Sequence, residues 1–208
     1  MKKTISIGID FDNTIVNHDA VFYKYARKKG LIHPGVSPTK LHVGLAIKKL
    51  PDGNRKWTEL QGWVYAEHMQ ESVPMEGVTE FFAACTRRAI PIAIVSHRTK
   101  QPVIGPDSDL RESSLRWLDT KEFFDRYGLS REKVYFTDTL DDKVELIGKL
   151  GFTHFIDDLT LVLKHGKFPK KVRKIYLNRH GRVREKDILH AQNWTDVMKY
   201  FFGSDEIY

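Results

Sequence analysis

Two carboxylates stand two residues apart in Asp10-Phe11-Asp12-Asn13-Thr14, directly after an apolar run that ends at Ile9. Two more, Asp157 and Asp158, follow the apolar run 153–156. Clustered carboxylates repel one another and need a cation between them. Oxygen ligands with no His or Cys cluster favour Mg²⁺. A metal beside an unengaged carboxylate can position a phosphoryl group for that carboxylate to attack. Lys143 would balance the crowded negative charge, and the Ser96 hydroxyl would hydrogen-bond a phosphoryl oxygen. His97, Arg98 and Lys100, just after Ser96, are placed to bind a second anionic group on a substrate, or simply to solvate a loop.

These groups meet only if the chain brings their elements to one edge. Residues 4–9 are β-branched and read as a strand. Residues 17–76 read as helical, with a stop at Gly30, a helix opened by Ser37-Pro38 and another capped by Asn54. From Gly77 the pattern alternates: helix 77–88, strand 90–95, helices 109–118 and 120–127, strand 134–137, helix 142–150 closed by Gly151, and strand 153–156. A strand at 174–177 and a helix at 194–202 follow. Such alternation implies an α/β fold with a mostly parallel sheet, whose ligands bind at the carboxyl ends of the strands. Asp10, Asp12 and Thr14, then Ser96 to Arg98, then residues 138–143, then Asp157 and Asp158 all stand at those ends.

The 208 residues, 41% hydrophobic and 29% charged, fit one domain with a modest insert. The single cysteine, Cys85, excludes an internal disulfide and a cysteine zinc site, and reads as a small buried residue. The longest apolar run, 89–95, is seven residues and contains Pro91, far short of the about 20 that span a bilayer. Asp10 and Asp12 interrupt the apolar stretch after Met1-Lys2-Lys3 too early for a signal peptide, so a cytoplasmic protein without a membrane partner is expected. The net charge of +7 suits anionic partners. Between Lys164 and Lys186 stand ten Lys or Arg and one acid, Glu185, which read as a nucleic-acid platform or as a lysine-studded hairpin edge.

The four clusters together resemble the haloacid dehalogenase (HAD) superfamily of phosphohydrolases. Asp10-Phe11-Asp12-Asn13-Thr14 matches its first motif, 92–96 ending in Ser96 the second, Lys143 the third, and Phe155-Ile156-Asp157-Asp158 the fourth. The resemblance implies a Rossmann-like α/β core, 1–16 and 77–208, with a small α-helical cap at 17–76. It implies Asp10 as a nucleophile that becomes an aspartyl-phosphate, and Asp12 as general acid and then base. Thr14 would orient Asp12. The Asp12 backbone carbonyl would join Asp10 and Asp157 around Mg²⁺, with Asp158 bound directly or through water. The family's dehalogenases lack an aspartate at the position of Asp12, so a phosphatase or phosphotransferase is implied. Lys149 shares a helix with Lys143, but six residues at about 1.5 Å each put it roughly 9 Å further from the active edge. Trp57, Trp63 and Tyr65 would stack on a base or sugar, or form the cap's own core. The expected reaction is Mg²⁺-dependent hydrolysis of a small phosphorylated metabolite such as a sugar phosphate or nucleotide. The alternatives are a phosphatase of nucleotides or nucleic-acid ends that uses 164–186, and a catalytically weak binding or regulatory module.

Overall fold

A computed structural model of the chain describes residues 4–178, 181 and 185–203. The elements run β1 (Ile7–Ile9), β2 (Val16–Asn17), α1 (Asp19–Lys28), α2 (Lys40–Lys48), α3 (Gly53–Glu67), β3 (Val73–Pro74), α4 (Val78–Arg87) and β4 (Ile92–His97). Then come α5 (Leu110–Thr120), β5 (Val134–Thr137), α6 (Leu140–Leu150), β6 (His154–Asp157), α7 (Thr160–Leu163), β7 (Arg173–Leu177), β8 (Ile188–Ala191) and α8 (Trp194–Phe202). The chain divides into two compact units, one of residues 1–15, 74–98 and 122–208, the other of 16–73 and 99–121.

The first unit is built on a six-stranded sheet in the order β5-β4-β1-β6-β7-β8. Every pairing in it is parallel. Parallel strands are covered on both faces, which is why 92–95 is a continuous apolar run and does not alternate. β1 lies at the centre, with Ile9 in register with Ile94 on one side and Ile156 on the other. Gly8 is required there, because a Cβ would come within 2.6 Å of the Phe152 and Phe155 rings. Val95, Val144, Ile147, Phe155 and Val162 form the core on one face of the sheet. The Asp10 N–H donates to the Ile156 carbonyl at 2.9 Å, carrying the ladder one residue past β1. That bond sets Asp10 beside Asp157.

The second unit is helical. Val21, Phe22, Tyr25 and Ala26 form the buried face of α1 and pack on Val43, Ile47, Leu60 and Val64 of α2 and α3. Trp57 packs on this core, 5.1 Å from the Phe22 ring, while Trp63 is half-exposed beneath the Lys29 ammonium. The Tyr65 hydroxyl accepts from Lys40 Nζ at 2.7 Å. Residues 99–121, expected with the core, belong to this unit. The Trp117 indole N–H donates to the Ser72 carbonyl at 2.8 Å and the Ser113 hydroxyl to the Ala66 carbonyl at 3.2 Å. Gly62 lets the loop before α5 approach, since a Cβ there would lie 1.9 Å from the Ile104 carbonyl oxygen.

Several boundaries differ from expectation. α2 starts after Thr39, whose hydroxyl accepts from the His42 N–H, so Ser37-Pro38 stands outside the helix. Residues 121–126 form successive turns, with Glu122 at φ 62°, and no second helix follows α5. β7 pairs with both β6 and β8 in parallel, so the part of the lysine-rich stretch that β7 holds is an inner strand and not a hairpin edge. β8 and α7 are too short for periodicity to reveal. Cys85 is fully buried, and burial pushes its thiol up to about 12. Among the described residues no helix is long and apolar enough to cross a membrane.

His154 opens β6 at 8% exposure, its ring against the hydroxyls of Thr153 and Tyr200. Burial, helped by Arg173, lowers its pKa from 6.5 to about 4. Between those values the unfolded chain binds the extra proton, so stability falls on acidification through that window. The loss is on the order of 2–3 kcal/mol. Denaturation of the wild type and of His154→Gln between pH 7 and pH 4 checks this: the wild type should lose more, and parallel curves would contradict it.

Candidate active site

Three elements deliver one buried ion cluster. Asp10 leaves β1, Asp157 ends β6, and Lys143 lies in the first turns of α6. Thr139 caps α6, its hydroxyl accepting from the Asp142 N–H at 3.1 Å and its carbonyl from the Lys143 N–H at 3.1 Å. The helix start therefore fixes where Lys143 points. Its ammonium donates to Asp10 Oδ1 at 2.6 Å and to Asp157 Oδ2 at 2.7 Å. Lys143 is 1% exposed, Asp10 6% and Asp157 0%. Lys149 instead pairs with Glu145 on the outside of α6.

Burial pushes the Lys143 pKa down, but Asp10 and Asp157 outweigh it and hold it above the ordinary value. Burial, reinforced by the Asp10 charge, raises the Asp157 carboxyl; Lys143 and the Leu159 N–H pull it back only in part. One cation against two buried carboxylates leaves the site short of positive charge. Asp158 adds a third, and ligand oxygens of Asp10, Asp157 and Asp158 lie within 4.8 Å of one another. This all-oxygen set suits a hard divalent cation.

The remaining predicted residues are placed as follows. Asn13 adopts φ 59°, the left-handed turn that carries the chain from Asp12 to Thr14. The buried Thr14 hydroxyl donates to Asp10 Oδ2 at 3.2 Å, so it orients Asp10 and not Asp12 as expected. Ser96 is buried at the end of β4, its carbonyl accepting from the Thr137 hydroxyl at 3.4 Å. His97 is exposed and meets the Asp138 carbonyl at 3.1 Å. Arg98, expected as a substrate contact, has a side chain only 3% exposed and donates to Asp12 Oδ1. Nothing in the sequence signalled that pairing.

The basic stretch is partly neutralised. Lys164 pairs with Glu185, Lys167 with Asp141 and Lys174 with Asp187. Arg179, Arg182 and Arg184 lie outside the described residues.

The cluster generates a stability prediction. Lys143→Met leaves two buried carboxylates without their cation, at a cost of about 3–5 kcal/mol in chelator. Mg²⁺ should restore part of that loss. Lys149→Met should change stability by less than about 1 kcal/mol, as an exposed pair does. Denaturant titrations of both variants, with and without Mg²⁺, check this, and equal effects would contradict it.

No family model and no curated protein matches the sequence. Solved structures do match. A HAD-superfamily hydrolase from Ehrlichia chaffeensis aligns over 96% of this chain and 97% of its own, with TM-score 0.58 and 15% identity. A HAD family hydrolase from Deinococcus radiodurans, solved with bound phosphate and sodium, aligns over 95% and 94% with TM-score 0.53 and 12% identity. A dehalogenase aligns over 96% and 98% with TM-score 0.53 and 13% identity. A central parallel sheet that brings its acids to the carboxyl edge, shared nearly end to end with these structures, gives this chain the fold of the HAD-superfamily hydrolases.

Proposed function

We propose that the chain is a Mg²⁺-dependent phosphomonoester hydrolase that works through an aspartyl-phosphate on Asp10. The observation that carries this reading is the meeting of Asp10, Asp157 and Asp158 around the buried Lys143 ammonium. Asp10, Asp157 and Asp158 would hold the cation, which when bound draws negative charge from phosphoryl oxygens. Asp10 keeps one oxygen on Lys143 and the other on the Thr14 hydroxyl, so its carboxylate is held in one orientation. From there it attacks phosphorus as the ester P–O bond breaks. Asp12 gives its proton to the departing alkoxide oxygen. Asp12 then takes a proton from water, whose oxygen attacks phosphorus, and the bond to Asp10 breaks to release inorganic phosphate.

Two further observations support the reading. The Deinococcus radiodurans structure on the same fold holds phosphate. Asp12 stands where the dehalogenases of the resembling family have no second acid, which favours phosphoryl transfer over dehalogenation. The substrate class is a small phosphorylated metabolite.

Phosphate release from sugar phosphates, nucleotides and an aryl phosphate, with and without Mg²⁺, tests the proposal. Turnover should require the metal and fall by about 10³-fold or more in Asp10→Asn, which has no substitute nucleophile. Turnover that ignores both changes would overturn it. No turnover with Mg²⁺ bound would favour a binding module.

A further inference from the structure

Asp10 and Asp12 lie two residues apart, yet each has its own cation. Lys143 holds Asp10, and Arg98 holds Asp12. Arg98 is held at its backbone and at its tip. Its backbone N–H donates to the Thr137 carbonyl at 2.9 Å, continuing the β4–β5 ladder past His97. Its guanidinium lies 5.5 Å from the centre of the Phe11 ring, and Phe11 is fully buried. Its Nη2 reaches Asp12 Oδ1 at 2.5 Å. Exposure runs the other way across the pair: the Asp12 side chain is 21% exposed and the Arg98 side chain 3%. The acid is open and its clamp is closed.

We propose that Arg98 is a positioning residue that holds the Asp12 carboxyl group through Oδ1, so that Oδ2 carries the proton to the leaving-group oxygen, and that it does not bind the substrate's own anion. The inference rests on the hydrolase reading and adds to it the residue on which the acid's orientation depends. Arginine suits this post because its weakly hydrated guanidinium enters a buried ion pair more readily than a lysine ammonium does.

Leaving-group dependence tests it. An alkyl phosphate needs a proton on its departing oxygen, whereas a nitrophenyl phosphate leaves readily without one. In Arg98→Met, kcat on the alkyl ester should fall by about 10²-fold, with KM little changed and a much smaller loss on the nitrophenyl ester. The double variant Asp12→Asn/Arg98→Met should be no slower on the alkyl ester than Asp12→Asn alone, because Arg98 acts only through Asp12. Arg98→Lys, which keeps charge and most of the volume, should show the same leaving-group bias if Arg98→Met fails to fold. A rise in KM on both esters would overturn the proposal in favour of substrate contact. Equal kcat losses on both esters would make Arg98 a structural residue. If the wild type turns over neither ester, the hydrolase reading itself falls, an outcome distinct from either of these.

Discussion

The structure turns on one buried ammonium. Lys143 sits between Asp10 and Asp157 with all three side chains nearly closed to solvent. Burying such groups is costly unless the geometry is close and every charge is paired. Here the geometry comes from the backbone. The β1–β6 ladder sets the two acids side by side, and the capped start of α6 aims the lysine between them. A one-residue slip of β1 would turn Asp10 to the other face of the sheet and break the cluster. Gly8, wedged under Phe152 and Phe155, allows the close packing beneath β1 that holds this register.

The same cluster separates the environments of two neighbouring acids. Asp10 is buried and held by Lys143 and Thr14. Asp12 is partly open and held from behind by Arg98. Two carboxylates with different surroundings can take different roles in one reaction, and the left-handed turn at Asn13 leads the chain away from both. The three carboxylates of Asp10, Asp157 and Asp158 beside the Lys143 ammonium form an oxygen cluster that would suit a divalent cation.

Much of this was legible in the sequence because it depends on local pattern. β1, β4, β5 and β6 are apolar runs that end in polar residues, α4 and α6 have helical periodicity, and Gly30 and Gly151 stop their helices at positive φ. The strand ends then named the acids. What stayed hidden depends on partners distant in sequence. Thr14 turns to Asp10, and Arg98 finds Asp12 across 86 residues, by side-chain geometry that spacing does not encode. Residues 99–121 join the helical unit through hydrogen bonds from Trp117 and Ser113, which no periodicity announces. Lys164, Lys167 and Lys174 stand against Glu185, Asp141 and Asp187, pairings that a count of charges along the chain does not give.

The central claim is that the Lys143-bound carboxylate of Asp10 is the atom that receives the phosphoryl group. Acid quenching during turnover, followed by mass mapping of the peptides, tests it most directly. The account predicts one phosphoryl group on Asp10, labile to base as an acyl phosphate is. Phosphate on another residue, or turnover with no covalent species on the chain, would contradict it.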